Sequence, residues 1–417
     1  MSRFSADATL RFLPFTRQID GEEAVIGRPE LGVFLCIPLE ALELLDQLAA
    51  GKTVGEVQAE HQRRTGETAD LESLLGYLDQ RGFVDRGGGV AAVAAPAPLR
   101  FHFADIPQSF ARKVFGRPAL IGAFAVIALA VALAVAEPSL RPSWRFLLFE
   151  QHVTLMNALL MVAGLVVTLI HEMGHLCAAR ARGVSCRLGI GNRLWVLVAE
   201  TDMTGIWALP SRERYLPILA GPLTDALSGS TILLVLFAHL HGWLTLPALL
   251  HQFLQAMTVV YLLNLLWQCY FFVRTDLYYV YTTAFGCKNL LGDTQDYLRN
   301  RMAKLRKKPQ PVDQRHIPAR EMRAIGFYSG FYLVGRAVAL SVFFVMMVPL
   351  TLQYITTISE KVFASPEKGT YQYLDAAAFG ILSVGLLLVG IFMWCKELYR
   401  NWRSQRVVAD GNSPLRA

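Results

Sequence analysis

The sequence predicts a polytopic α-helical membrane protein of about six transmembrane helices, with a small α+β domain at its N-terminus. Three observations predict it. The chain is 417 residues long and 53% hydrophobic, too apolar for an ordinary soluble protein of that length. Beyond residue 119 its apolar residues gather into six runs near membrane-spanning length. Residues 1–87 read differently, as short alternating stretches followed by amphipathic ones with turn formers between them.

In the first 87 residues, Leu10–Pro14, Ala24–Gly27 and Gly32–Ile37 read as strands, and Leu39–Ala50, Val54–Arg64 and Asp70–Arg81 as amphipathic helices. Phe83–Arg86 reads as a closing strand, so the order is that of a winged-helix-like domain. Acidic and basic residues interleave throughout and no recognition helix is basic, so no nucleic-acid partner is expected. Gly87–Gly89 and the Ala/Pro run to Pro98 read as a flexible tether within a linker and juxtamembrane segment, 88–118. Met1–Glu23 is broken by charges and holds no cleavable signal pattern, which leaves the N-terminus in the cytosol.

The six runs are Leu120–Ala136, Val153–Cys177, Tyr215–Leu240, Leu246–Val273, Phe327–Ile355 and Ala376–Trp394. Lys and Arg accumulate on the cytosolic side of such spans. Arg112, Lys113 and Arg117 precede the first span, Arg299, Arg301, Lys304, Arg306, Lys307 and Lys308 follow the fourth, and Lys396, Arg400, Arg403 and Arg406 follow the last. The opposite loops carry only Arg141 and Arg145, and Lys361 and Lys368. Both termini are therefore expected in the cytosol, in a multi-pass protein of the cell membrane. This bias accounts for much of the net charge of +7, and the tract Arg299–Lys308 is expected to lie against anionic lipid headgroups. The organisation that follows is a membrane core over 119–285, a cytosolic basic loop over 286–325, two additional helices over 326–398 and a cytosolic tail over 399–417. The six cysteines, Cys36, Cys177, Cys186, Cys269, Cys287 and Cys395, show no CxxC spacing, which argues against a disulfide framework or a thiolate zinc site.

The second span ends in His171-Glu172-Met173-Gly174-His175. Positions i and i+4 share one helix face, so both histidines can ligate one Zn²⁺ while Glu172, one residue round, serves as general base toward water. Ionisable groups inside a membrane-length segment are costly and usually functional. A catalytic zinc takes three protein ligands, and the candidate for the third is Asp276, at the cytosolic end of the fourth span. The alternatives for Asp276 are a helix cap or an ion pair with Arg274.

HEMGH at the end of one span, Ala220-Gly221-Pro222 in the next, and Asn264 followed by Asp276-Leu277-Tyr278-Tyr279 resemble the site-2-protease family of intramembrane zinc metalloproteases, over roughly residues 150–285. The resemblance implies that His171, His175 and Asp276 are zinc ligands and Glu172 the general base, with Gly221, Pro222 and Asn264 as candidate substrate-binding residues. Two departures stand out: Leu277 follows the aspartate where the family usually has glycine, and no proline follows Asn264.

Between the second and third spans, Arg187–Arg193 and Leu194–Val198 read as a short hairpin, similar to the family's membrane-associated β-hairpin that offers an edge to extended substrate. Asp202 reads as a turn residue, and Asp225 and Arg336 as polar groups facing the bundle interior or a gate. Residues 8–87, including Gly51–Val57 and Gly82–Asp85, resemble PqqD-like domains, the recognition elements that bind leader peptides of ribosomally made, modified peptides. Together the resemblances imply a membrane zinc endopeptidase that removes the leader of a precursor peptide from the cytosolic side. The alternatives are regulated intramembrane proteolysis of a transmembrane signalling protein, and a non-catalytic peptide-binding immunity or export component. Peptide and lipid are the expected partners, and the sequence leaves the oligomeric state open.

Overall fold

The computed structural model describes residues 4–21, 23–85, 101–103, 105–147, 153–315, 317–349 and 387–400, together with 352, 356 and 385. Its elements in chain order are β1 (Arg11–Phe12), β2 (Thr16–Asp20), β3 (Glu23–Arg28), β4 (Val33–Pro38), α1 (Leu39–Ala49), α2 (Val54–Thr65), α3 (Leu71–Gln80) and β5 (Val84–Asp85). These are followed by α4 (Gln108–Val114), α5 (Arg117–Ala136), α6 (Val153–Ala181), β6 (Arg187–Arg193), β7 (Val196–Asp202), α7 (Ser211–Leu240), α8 (Ala248–Trp267), α9 (Asp276–Phe285), α10 (Leu290–Leu305) and α11 (Ala319–Val342).

The chain divides into two compact units. The first comprises Met1–Phe115, Leu176–Arg187 and Thr201–Pro217. Its N-terminal domain is built on an antiparallel sheet in the order β2-β3-β4, with β1 and β5 paired separately. Alternation along β3 and β4 puts Ala24, Ile26, Leu35 and Ile37 on one face, where they pack with Leu45 and Leu48 of α1, Val57 of α2 and Leu75 and Leu78 of α3. Helix α2 starts in a capping box: the Glu56 backbone N–H donates to Thr53 Oγ1 (3.3 Å), and the Thr53 backbone N–H donates to Glu56 Oε2 (2.8 Å). The same unit holds the turn Thr204–Ala208, which lies on this sheet, and Arg214 at the start of α7. Arg214 is buried, stacks on Trp207 and donates to Asp20 Oδ2 (3.2 Å), Leu209 O (2.8 Å) and Trp207 O (3.2 Å).

The second unit comprises Gly116–His175, Leu188–Glu200 and Ile218–Ala417. Within it Met257 and Tyr261 of α8 pack on Val167 of α6. Tyr278, Cys287, Leu290, Ala324, Ile325 and Tyr328 form a further core shared by α9, α10 and α11.

Five helices among the described residues are long and apolar enough to cross a membrane: Gln108–Ala136, Ala158–Ala181, Ser211–Leu240, Ala248–Trp267 and Ala319–Val345. Much of their apolar surface faces outward, with Ile121, Val135 and Leu165 each about two-thirds or more exposed, as a bilayer and not water would require. This is a helical, multi-pass membrane architecture with a small N-terminal sheet domain. The run expected over Ala376–Trp394 lies partly outside the described residues; of those described, 387–400 are helical. The tether over Gly87–Pro98 and the tail beyond residue 400 also lie outside them.

Three expectations need correction. The sequence reads no strand at Thr16–Asp20, since Thr-Arg-Gln-Ile-Asp is nearly all polar, yet β2 forms there as the outer neighbour of β3. Residues 286–325 are not simply a loop, because α10 buries Leu290 against α11 behind a charged exterior. The fourth span ends at Trp267 and not at Val273, leaving a turn at Phe271–Val273 before α9.

Candidate metal centre

One turn of α6 separates His171 from His175, and the helical period turns both inward. Their Nε2 atoms stand 3.1 Å apart, and Asp276 Oδ2 lies 3.2 Å from the first and 3.3 Å from the second. A tetrahedral zinc about 2.0–2.1 Å from each donor sets donor–donor edges of roughly 3.3 Å, so the triangle has the size that zinc requires. These three residues are the group among the described residues whose His, Cys, Asp and Glu atoms converge closely enough to hold a metal ion. Glu172, between the histidines in sequence, is buried.

Asp276 reaches the histidines through a built turn. After α8 the chain passes Phe271–Val273 and turns at Arg274, whose φ is 60°. Thr275 Oγ1 then donates to the Gln268 carbonyl (2.8 Å), and the Asp276 backbone N–H donates to Gln268 Oε1 (3.0 Å). Gln268 is buried, so this clamp holds the first residue of α9 from within the protein. Thr275, not Asp276, occupies the N-cap position, and Asp276 pairs with the histidines and not with Arg274.

Helix α7 closes the other side. A Cβ on Gly221 would lie 2.4 Å from His175 Nε2 and 2.5 Å from His171 Nε2, so only glycine leaves that space open. Helices α6 and α7 approach closely here, since a Cβ on Gly174 would meet the Ala220 carbonyl oxygen at 2.9 Å. Pro222 has no N–H to donate within α7, and Thr224 Oγ1 donates to the Ala220 carbonyl at 2.7 Å. One turn beyond Gly221, Asp225 places Oδ2 2.8 Å from His171 Nδ1. Asn264 is half-buried on α8, outside the converging group, and its side chain makes no hydrogen bond among the described residues. Arg336 stacks over the Tyr332 ring at 5.3 Å.

Two positions that shape the centre are not singled out for it by the sequence. Asp225 reads there as an interior polar group, and its i+4 spacing from Gly221 puts both on one face of α7. Gln268 carried no signal, because its role depends on where the chain turns after α8.

Neither buried cysteine outside the spans favours a thiolate. Burial pushes the Cys186 and Cys287 thiols up to about 12.

The hairpin formed by β6 and β7 begins where expected, with β7 running on to Asp202. Arg193 pairs with Glu200 at 2.8 Å, and Ile190 stands 78% exposed. Burial pushes the Tyr279 hydroxyl above its ordinary range, while Arg193 acts on it in the opposite sense. Trp195 at the hairpin turn packs on Phe343 and Trp394. Asp202, expected as a turn residue, is instead the last residue of β7, and it accepts from Arg187 Nε (2.8 Å) and from the backbone N–H of Thr204 (3.1 Å) in the turn that follows.

No family model, curated protein or solved structure matches the chain.

Proposed function

We propose that the protein is a zinc metalloendopeptidase of the site-2-protease type, set in the cell membrane with both termini in the cytosol, that removes the leader from a ribosomally made precursor peptide. The convergence of His171 Nε2, His175 Nε2 and Asp276 Oδ2 at 3.1–3.3 Å carries the reading. Zinc held by these three donors would keep one position open, polarise the scissile carbonyl and acidify water. Glu172, buried beside the two ligands, takes the proton from the attacking water and passes it to the leaving amine. The low-dielectric surroundings strengthen both interactions. The hairpin's outer edge can hold an extended peptide by main-chain hydrogen bonds, and the polar edge strand β2 offers the N-terminal domain the same means of capturing a leader.

The test is incubation of purified full-length protein in detergent with any candidate short precursor peptide encoded beside the gene, read by mass spectrometry. Cleavage at one site, lost in Glu172→Gln and on chelation, supports the proposal. Near wild-type cleavage by Glu172→Gln would sink the assigned chemistry. Binding without cleavage would point to an immunity or export component, and neither binding nor cleavage to a transmembrane signalling substrate.

A further inference from the structure

The two ring nitrogens of His171 have different neighbours. Nε2 faces His175 and Asp276, while Nδ1 lies 2.8 Å from Asp225 Oδ2. Asp225 is 1% exposed, and its second oxygen, Oδ1, has no hydrogen-bond partner among the described residues. Such a group is expensive: a buried carboxylate wants all its acceptor sites filled, and each one left empty costs stability. A residue of similar shape without the charge would fill the space at lower cost. Something other than packing must justify the carboxylate.

Its chemistry supplies the justification. An ionised carboxylate only accepts hydrogen bonds, so the proton of a neutral His171 is held on Nδ1 and the lone pair is left on Nε2, the atom directed at Asp276 and His175. The same bond fixes the ring plane and makes Nε2 a stronger donor. Asp225 also stands one helical turn from Gly221, the residue that leaves the space beside both Nε2 atoms open. One face of α7 therefore shapes the cradle and orients the ligand.

We infer that Asp225 is a positioning residue that sets the tautomer and orientation of His171 for metal binding. The inference rests on the zinc reading above, and the experiment separates the two. Zinc affinity of the full-length protein in detergent is measured by competition with a chromophoric chelator for wild type, Asp225→Ala and Asp225→Asn, alongside the melting temperature of each metal-free form. Loss of an outer partner of this kind weakens metal binding by roughly 10–100-fold, which is the expectation for Asp225→Ala. Asp225→Asn should fall between the two, because its amide oxygen can accept from Nδ1 without the charge. The metal-free melting temperature should fall in Asp225→Ala, which leaves the buried His171 Nδ1 without its acceptor, and fall less in Asp225→Asn, whose amide oxygen still accepts. Affinities of both variants within about threefold of wild type would overturn the inference, because the outer-partner effect starts near tenfold. So would a fall in metal-free stability with affinity intact, the pattern of a purely structural role. If Asp225→Ala does not fold, Asp225→Asn gives the answer. A wild-type protein that binds no zinc would remove the metal reading and this inference together, whereas stoichiometric zinc bound equally tightly by wild type and variants would remove this inference alone.

Discussion

Replacing Gly221 with alanine adds one methyl group at the most crowded point of the centre. The new Cβ would lie 2.4 Å from His175 Nε2, 2.5 Å from His171 Nε2 and 2.7 Å from His171 Cε1. Non-bonded heavy atoms settle at about 3.5–4.0 Å, so each contact is short by roughly 1 Å. The neighbours have little room to yield. His175 is 2% exposed, His171 is tied to Asp225, and α7 already touches Gly174 of α6 through the Ala220 carbonyl. Overpacking of this kind costs about 1–3 kcal/mol, which as a loss of metal affinity is about 5- to 150-fold. The upper end is expected, because a cation about 2.0–2.1 Å from both nitrogens needs nearly the volume the methyl takes. The assay is zinc stoichiometry and chelator-competed affinity, with peptide cleavage beside it. Gly330→Ala on α11 is the control, since a Cβ there meets nothing within 4 Å and should leave both readings at wild type. Full zinc occupancy and normal cleavage in Gly221→Ala would refute the assigned geometry.

Asp276→Ala removes the oxygen that closes the donor triangle, so zinc affinity should drop at least about tenfold and cleavage should vanish, measured by the same competition and mass spectrometry. Asp202 is partly buried, which favours its neutral form, but its bonds from Thr204 and Arg187 outweigh burial and lower its pKa. Its stabilising contribution is therefore complete above the unfolded value near 4 and is lost as pH falls through the lower folded value. Melting curves from pH 7 to pH 3 should show Asp202→Asn less stable at neutral pH, with the gap closing in acid; a gap that widens in acid would contradict the assignment. Asp20→Ala leaves the buried Arg214 without its carboxylate and should cost about 1–3 kcal/mol, seen as faster hydrogen exchange at the start of α7.

What could be read from the sequence was what depends on local spacing. Strands β3 and β4 were visible because Ala24, Ile26, Leu35 and Ile37 alternate with outward residues, and the helices because the leucines of α1 and α3 and Val54 and Val57 of α2 fall at helical intervals. The histidines and Glu172 were visible for the same reason, and Asp276 because topology returns it to the depth of the HEMGH turn. Strand β2 was hidden because an edge strand with few buried residues shows no hydrophobic period. Helix α10 was hidden because Arg299, Arg301 and Lys304 on its outer face mask Leu290 and Leu298. The bond between Asp225 and His171 joins residues 54 apart, a separation at which periodicity carries no information.

Leu277 stands where the resemblance leads one to expect glycine, and this chain makes its turn at another residue. A glycine after the aspartate would allow the backbone to turn at that point. Here the turn is made earlier, at Arg274 with φ 60°, so that Leu277 lies inside α9 with no need for a special conformation. A left-handed arginine is unfavourable, and the structure must offset it locally. Gln268 does so twice, accepting from Thr275 Oγ1 with its carbonyl and from the Asp276 N–H with its side chain. The strained turn and its clamp therefore form one unit, and Asp276 owes its place to residues on both sides of the break between α8 and α9. A glycine at Leu277 would add freedom to a helix whose first turn is already anchored, costing roughly 0.5–1 kcal/mol and gaining no geometry.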